Sequence, residues 1–346
     1  MRFLPLRDSD TFLVKTCLIL LCGLPLLGAC NSDEPAELTS EQRLGLYLEG
    51  ALGYFAKGDL DRAQQQVQFG LGVDPRNERL LLLLGDIHQL RGTTPDIQMA
   101  EAIFRDHPAQ HDFRVRLGLA KALERMGVVY DEAAEAIRSG ERSTESLDPT
   151  ARANELSANA LTAWAEAKDN YKATLEIQLG EMGAIGGLVR VCALLGEEAE
   201  SMEWSGKLIE VLESSSRIRR LELEDASLAA TRERDLRAAI KRNNDMIIKA
   251  HLHVSSILRR QGRLQEAVDE LGSVISIDPE LAQAYSRRAQ IYYDLAQYQR
   301  ASDTLQSFLK LSAQLPFDHP DIRQAYALMR RCKDALSASD LLGAKD

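Results

Sequence analysis

The side chains that could bind a metal ion are the histidines and cysteines, and they are few and scattered. Of six histidines, only His107 and His111 have the four-residue spacing that would place two ligands on one helical face. Pro108 interrupts that helix and no third ligand stands nearby, while His251 and His253 would point to different helical faces. We therefore expect no metal site and no cofactor.

Residue patterns that support catalysis do not occur in the sequence either. It contains no Gly-rich phosphate loop, no Gly-x-Ser-x-Gly nucleophile turn and no Cys-x-x-Cys pair. Carboxylate pairs such as Glu197 and Glu198 are typical of a solvated helix start, where the helix dipole favours negative charge. The sequence thus predicts a protein that is not an enzyme and has no small-molecule substrate.

Composition and charge limit the fold classes and the kinds of partner to be expected. Only 5% of the 346 residues are aromatic and 10 are proline, whereas helix-forming residues such as Ala, Leu, Glu, Gln and Arg are abundant. This composition predicts an all-α fold. The formal net charge is −10, and an acidic protein repels polyanions, so nucleic acid is not an expected partner.

One cysteine stands in a distinctive context at the end of an apolar segment. Residues 17–27 (CLILLCGLPLL) follow a basic stretch and are too short to span a bilayer, which takes roughly 20 residues, but they suit an export signal. The next four residues, Leu27-Gly28-Ala29-Cys30, resemble the lipobox of bacterial lipoproteins. The resemblance implies a signal peptide over residues 1–29 that is cut before Cys30. The alternative is an ordinary cleaved export signal followed by an unrelated cysteine.

The same resemblance implies that Cys30 carries acyl chains such as palmitate and anchors the chain to a membrane. Two or three acyl chains hold a protein on a bilayer almost irreversibly. Residues 30–40 are polar and acidic around Pro35, so they should form a flexible tether. Asn31 rather than Asp at the next position favours the outer over the inner membrane, facing the periplasm or the exterior.

Segment 44–77 contains a set of residues at a 34-residue period that predicts a helical hairpin. The set is Tyr47, Ala51, Tyr54, Gly58, Asp59, Leu60, Asp61, Ala63, Gly70, Asp74 and Pro75. Gly58 suits the turn between the helices, Ala63 lets them approach, and Pro75 ends the second helix. The pattern returns at 248–281 and 282–315, where Ala296 replaces the turn glycine. These segments resemble the tetratricopeptide repeat (TPR) family, which implies a TPR-type α-solenoid of helical hairpins.

Between the first repeat and the C-terminal repeats, the sequence signals for helical hairpins are weaker. Degenerate repeats are expected at 78–110, 112–149, 151–182 and 183–214, with Gly127 in a turn, so that 41–214 forms the N-terminal repeats. Residues 207–261 contain neither Gly nor Pro, which predicts an unusually long helix around 217–260, with Ser214 to Ser216 as the one break before it. Its charged part, 215–247, would either dock a partner or brace the solenoid.

The C-terminal part comprises two regular repeats and a capping helix over 248–336, followed by a tail over 337–346. The apolar spacing of 321–336 predicts a helix that covers the exposed end of the stack. Because repeats cannot bury their apolar faces singly, the helical ends require helical neighbours between them.

The TPR resemblance implies that protein or peptide partners bind in a concave groove lined by the first helix of each hairpin. The two C-terminal repeats would present a basic to polar strip suited to an acidic peptide or a C-terminal carboxylate. The strip comprises Lys249, His253, Ser256, Arg259, Gln283, Arg287, Gln290 and Tyr293. The groove of the first repeat would be apolar through Leu48, Leu52 and Phe55. The alternative is that Leu52 and Phe55 belong to the repeat core and the strip merely solvates the surface.

These features together predict a membrane-anchored scaffold or adaptor of the bacterial cell envelope. Repeat lipoproteins of this kind assist the assembly of a pilus, a secretion complex or an outer-membrane complex, or recruit a protease. A periplasmic chaperone, or a regulator of a cell-wall enzyme or protease, is the second hypothesis. The sequence leaves the partner, the envelope process and the oligomeric state open.

Overall fold

The computed structural model describes residues 38–143, 148–225 and 227–343, with side chains as far as Ser337. Over these residues the chain forms thirteen α-helices and no strand. The helices are α1 Ser40–Ala56, α2 Leu60–Val73, α3 Glu78–Arg91, α4 Thr94–Arg105, α5 Phe113–Arg138, α6 Pro149–Ile177, α7 Met182–Leu194, α8 Glu198–Glu222, α9 Ala230–Arg260, α10 Leu264–Ile277, α11 Ala282–Asp294, α12 Tyr298–Leu311 and α13 Pro320–Gly343. The prediction of an all-α fold is confirmed.

The helices stack as six hairpins in chain order, from α1 with α2 to α11 with α12, and α13 follows. Each helix packs mainly on its neighbours in the chain, so α1 and α13 lie at opposite ends of the stack. Buried apolar clusters recur along the stack and join each hairpin to the next. This is the architecture of a TPR-type α-solenoid, as predicted, because every hairpin buries its apolar stripe against an adjacent hairpin.

Local sequence signals set the short hairpins. The side chain of Asp59 accepts a hydrogen bond from the Arg62 amide and caps α2, and Asn77 caps α3 in the same way through the Leu80 amide. The turn between α11 and α12 holds Ala296 at a φ of 58°, where a TPR usually places glycine. The capping helix is also present, since α13 buries Ile322, Ala325, Leu328 and Cys332 against α11 and α12.

Segments 112–149 and 151–182 do not form the two predicted hairpins. They combine into one larger hairpin, because α5 has 26 residues and α6 has 29. Gly127 lies inside α5 rather than in a turn, and the Trp164 indole of α6 fills the space beside it. The Trp164 Nε1 donates a hydrogen bond of 3.2 Å to the carbonyl of Glu124, which fixes the ring against α5. Gly127 is therefore a position of close helix approach.

The predicted single helix over 217–260 is wrong, because the chain turns back on itself between α8 and α9. Ser214 to Ser216, the expected break, lie within α8, and the helix continues to Glu222. In the turn, the Asp225 carboxylate accepts hydrogen bonds from the amide and hydroxyl of Ser227, at 2.9 and 2.7 Å. A local hydrogen bond of this kind stabilises a turn without Gly or Pro.

The ends of α8 and α9 that flank this turn pack along each other. The buried Asn243 side chain of α9 donates to the Leu212 carbonyl at 3.2 Å and to the Ser216 hydroxyl at 3.0 Å. Arg232 of α9 makes a bidentate ion pair with Glu222 of α8, at 2.7 and 3.0 Å. The charged segment 215–247 thus comprises the end of α8, the turn and the first part of α9. These parts form the turn end of an extended helical hairpin. Among the described residues, none of the helices combines the length and apolarity needed to cross a membrane.

We expect Gly127→Ala to destabilise the protein by about 1 to 3 kcal/mol, the usual cost of forcing an extra carbon into a packed core. A Cβ at position 127 would overlap the Trp164 ring. The control is Gly206→Ala in α8, where a Cβ meets no atom within 4 Å, and this change should stabilise the helix by about 1 kcal/mol. Urea denaturation measures both variants, and equal effects would contradict the packing role of Gly127.

Candidate partner-binding groove

In the first four hairpins, the inner side of the stack is formed by the odd-numbered helices. Helices α1, α3, α5 and α7 contact one another across successive hairpins, in addition to their own hairpin partners. Helices that touch across hairpins line the concave side of a superhelical stack. We define the groove as the surface formed by the odd-numbered helices.

A pocket of about 650 Å³ opens in the middle of the groove and is lined mostly by apolar side chains of α5, α7 and α9. Val128, Leu194 and Met246, one from each helix, are 37%, 40% and 36% exposed there. Gly186 and Ala193 of α7, which have small side chains or none, also line it. A concave apolar surface of this kind is suited to receive an apolar side chain of a partner. We call it the central pocket.

The central pocket contains one arginine, whose charge is already compensated. Arg190 makes a bidentate ion pair with Glu124 through Nε at 2.5 Å and Nη2 at 2.9 Å. The buried Tyr171 hydroxyl donates to the same carboxylate at 2.6 Å. The hydrogen bonds to Glu124 raise the pKa of Arg190, and burial together with the Glu124 charge raises the pKa of Tyr171. Arg190 is therefore fixed to Glu124 instead of being free to bind a ligand carboxylate.

A second cation of the central pocket, Lys249 of α9, is exposed and has no ion-pair partner among the described residues. Its ammonium group remains available to a negative charge on a partner. The central pocket thus combines an apolar floor with one unpaired positive charge, which suits a peptide that carries an apolar side chain near a carboxylate.

His253 lies beside Lys249 and links α9 to α8. Its Nε2 lies 2.7 Å from the Ser201 hydroxyl, which itself donates to the Val189 carbonyl at 2.8 Å. Because the hydroxyl proton is used in the second bond, His253 Nε2 acts as the donor in the first. Burial, together with the positive charge of Arg260, lowers the pKa of His253, although Glu198 opposes this shift. His253 is therefore neutral at pH 7 and has a structural role at the pocket wall.

The other residues of the predicted C-terminal strip lie on α9 and α11, and several are engaged within the protein. Arg259 forms an ion pair of 2.9 Å with Asp294, whose other oxygen accepts a bond from Gln290 at 3.0 Å. Tyr293 packs on Tyr298 with ring centroids 5.4 Å apart.

Three further residues of the strip are exposed and make no ion pair within the described residues. Ser256, Gln283 and Arg287 are exposed, although Ser256 accepts a long hydrogen bond of 3.3 Å from Arg260. The free cations of the strip are therefore Lys249 and Arg287, since neither has an ion pair among the described residues. The strip is less basic than its sequence suggests.

The three apolar residues predicted to line the groove of the first repeat differ in exposure. Leu48 and Phe55 are partly buried and pack against the core of the first two hairpins. Leu52 is 45% exposed. A single exposed leucine is common on protein surfaces. This end of the groove therefore offers less apolar surface to a partner than the central pocket does.

The predicted site residues did not include the α5 and α7 residues of the central pocket, namely Glu124, Val128, Arg190 and Leu194. The missed signal was the continuous helical spacing of apolar residues across 113–138, which would have placed Glu124 and Val128 one turn apart on a single helix. Assigning a turn at Gly127 hid that relationship.

One cluster of possible metal ligands occurs among the described residues, but a lysine already compensates its charge. Ligand atoms of Cys192, Glu197 and Glu200 lie within 4.8 Å of one another. Lys168 donates to Glu197 at 2.5 Å and to Glu200 at 2.7 Å. The hydrogen bond from Lys168 is the largest of the effects that lower the pKa of Glu200 to about 2, while burial raises the pKa of the Cys192 thiol to about 11. The cluster is an ion-pair network that joins α6 to α8.

The His107 and His111 pair does not form a site either. His107 is buried, and its Nε2 lies 2.9 Å from the Glu78 carbonyl while its Nδ1 accepts from the Ala109 amide at 3.0 Å. Both ring nitrogens are therefore occupied by backbone groups, and this ring is not free to bind a metal ion.

Comparison with known proteins identifies the C-terminal repeats. A TPR repeat family model matches residues 256–295, and a tetratricopeptide repeat model matches residues 282–315. No curated protein matches the chain.

Solved protein structures show limited similarity to this chain. YrrB, described as a TPR protein with an unusual peptide-binding site, is 15% identical, with 75% of this chain and 97% of that chain covered and a TM-score of 0.41. PilF of Pseudomonas aeruginosa is 11% identical, with coverage of 83% and 98% and a TM-score of 0.43. The RpL4 assembly chaperone Acl4 is 18% identical, with coverage of 78% and 90% and a TM-score of 0.48. Similarity at this level says nothing about shared partners.

An α-solenoid with an open groove defines a protein-interaction scaffold, since such repeats bind protein or peptide partners and are typically non-catalytic. The two family models identify residues 256–315 as tetratricopeptide repeats.

The lowered pKa of His253 makes the stability of the protein depend on pH. The unfolded state, in which the pKa of histidine is about 6.5, takes up a proton before the folded state does. The contribution of His253 to the free energy of unfolding is therefore fully present above about pH 6.5. It is lost as the pH falls through the folded-state pKa.

His253→Gln should flatten this dependence, because the glutamine amide can still donate to Ser201 but does not titrate. Urea unfolding of both proteins between about pH 7.5 and pH 5 measures the difference. The same slope in the variant and the parent would contradict the assignment.

Proposed function

We propose that this protein is a membrane-anchored adaptor of the bacterial cell envelope that binds a segment of a partner protein in its concave groove. The central pocket receives an apolar side chain of that segment, and Lys249 pairs with a neighbouring carboxylate. Acyl chains on Cys30 keep the solenoid at the membrane, with the outer membrane favoured over the inner one. The assembly of an envelope complex is the process in which such an adaptor acts.

The observation that carries the binding proposal is the convergence of Val128, Leu194 and Met246 in one concavity next to an unpaired lysine. Large apolar side chains exposed at the bottom of a groove cost free energy in water, which a partner's side chain would recover. The Arg190 charge is neutralised by Glu124, so the floor of the pocket stays compatible with an apolar group.

Cys30 lies outside the described residues, so the support for the anchor comes from the sequence alone. The apolar segment 17–27 and the small residues before Cys30 match a lipoprotein signal. Cys192 and Cys332 are both fully buried in the solenoid, so neither thiol is accessible to an acylating enzyme. Cys17 and Cys22 belong to the segment that cleavage would remove.

The groove proposal predicts that Leu194→Asp and Lys249→Glu each weaken partner binding roughly tenfold or more, as is typical of residues at the centre of an interface. The measurement is the yield of chemical crosslinks in intact cells, quantified by mass spectrometry for each crosslinked partner. Arg287→Glu tests separately whether the C-terminal strip contributes.

The matched control is Leu161→Asp, because Leu161 is 50% exposed on the even-numbered helix α6 and does not line the central pocket. It should leave the crosslinks unchanged. Crosslinks that persist in Leu194→Asp and Lys249→Glu would reject the pocket as the binding site. Many weak partners that change with salt would favour the chaperone hypothesis instead.

The anchor proposal predicts that radiolabelled palmitate enters the parent protein and the Cys192→Ser and Cys332→Ser variants, but not Cys30→Ser. The Cys30→Ser protein should also move to the soluble fraction, because the anchor supplies the membrane affinity. Labelling that survives Cys30→Ser would reject the anchor without affecting the groove.

A further inference from the structure

The C-terminal end of the solenoid differs in charge from the rest of the protein. Segment 282–337 contains eight Lys and Arg residues, five Asp residues and no Glu, which gives a formal charge of +3. The whole chain has a net charge of −10, so the remainder carries −13. The eight cations are Arg287, Arg288, Arg300, Lys310, Arg323, Arg330, Arg331 and Lys333.

None of these eight cations forms an ion pair within the part of the chain that the structure describes. Elsewhere in the solenoid, arginines such as Arg91, Arg105, Arg190 and Arg260 pair with carboxylates of neighbouring helices. Arg288, Arg300 and Arg331 lie over tyrosine rings of the protein. The other five cations are therefore the ones available to groups outside the protein.

Four exposed residues with the same helical orientation form a stripe along α13. Arg323, Tyr326, Arg330 and Lys333 are spaced by three or four residues, so their side chains lie on one face. Phe317, in the loop before α13, stacks on Tyr326 with ring centroids 5.4 Å apart. We call these five residues the α13 outer face.

The aromatic pair of the α13 outer face is unusually accessible. Phe317 is 75% exposed and Tyr326 is 45% exposed, although neighbouring residues of α13 are buried against α11 and α12. Arginine and aromatic residues together are enriched at the centres of protein interfaces, where the rings supply apolar area and the guanidinium groups bind carboxylates. An end cap that only solvated the stack would not need two exposed aromatic rings.

We propose that the α13 outer face docks an acidic segment of a partner protein, with apolar side chains against Phe317 and Tyr326 and carboxylates against Arg323, Arg330 and Lys333. Nucleic acid fits less well, because the remainder of the chain carries −13 and repels a long polyanion. A lipid surface is an alternative occupant of a basic and aromatic face, and the experiment below distinguishes it from an acidic protein segment. The protein would then hold two partners, one in the groove and one at its end.

The test uses the purified full chain and a fluorescein-labelled peptide of about twelve residues composed of Glu and Leu, with binding followed by fluorescence anisotropy. Because such a peptide also suits the central pocket, the α13 variants are compared in the Leu194→Asp background. In that background the double variant Arg323→Glu with Arg330→Glu should bind at least roughly tenfold more weakly than Leu194→Asp alone. The uncharged double variant Phe317→Ser with Tyr326→Ser should also lose roughly threefold or more, which simple charge attraction would not cause.

The matched control is Arg217→Glu with Arg220→Glu on α8. These arginines are also exposed, spaced by three residues and without an ion pair among the described residues, so the charge change is the same. This control should change affinity less than about twofold. Leu194→Asp in the central pocket should leave this peptide bound, which separates the α13 outer face from the groove. Circular dichroism melting of each variant verifies folding.

Four binding results would overturn the proposal. They are no binding of the peptide by the parent protein, an equal loss in the α8 control, loss of binding in Leu194→Asp alone, and tighter binding to phosphatidylglycerol vesicles or single-stranded DNA than to the peptide. Loss in Leu194→Asp alone would place this peptide in the groove and would leave the proposed function standing. Concentration-dependent dimerisation of the parent that both α13 double variants abolish would make a second copy the occupant, and would also reject the proposal.

Discussion

The solenoid depends on aromatic side chains that fill gaps left by glycine on neighbouring helices. Phe104 of α4 fits between Gly85 of α3 and Gly118 of α5, so that one ring joins two hairpins. Trp164 fits against Gly127 in the same way, as described above. At each of these glycines a Cβ would overlap the ring, so even alanine would push the helices apart. Because single hairpins bury too little apolar area to be stable, this interlocking holds the middle of the stack together.

The interlocking also determines the chemistry of the groove. Tyr171 of α6 fills the gap at Gly187 of α7, and its hydroxyl emerges beside Glu124 of α5. Glu124 is thereby positioned to bind Arg190, and the pair neutralises itself at the edge of the central pocket. A contact that serves packing thus leaves Lys249 as the available charge of the pocket. The shape and the charge of the groove have the same structural origin.

The elements that could be predicted from the sequence are those whose signals are local. In segments 44–77 and 248–315, turn residues and small residues recur at fixed offsets, and the structure has helical hairpins there. Gly127 could not be interpreted locally, since a glycine marks either a turn or a close contact, and Trp164 lies 37 residues further along the chain. The end of α8 was missed because Asp225 and Ser227, rather than Gly or Pro, make the turn. In the predicted site, the position of Lys249 on α9 could be inferred from the repeat, but the pairing of Arg259 with Asp294 required the three-dimensional structure.

The groove has its central pocket where irregular repeats meet regular ones, and α9 belongs to both. Its first half pairs with α8 in the extended hairpin, and its second half begins the regular repeats that match the family. At this junction α9 is tied to α8 by polar contacts, since His253 bonds to Ser201, and Arg260 and Gln261 both donate to Glu198. Regular repeats stack by apolar contacts that fill the space between helices. Apolar contacts are present at the junction as well, since Leu208 and Leu212 of α8 pack with Ile247 of α9. The polar contacts therefore add to the apolar packing that holds α9 on α8, while Met246 and Lys249 of the same helix line the central pocket.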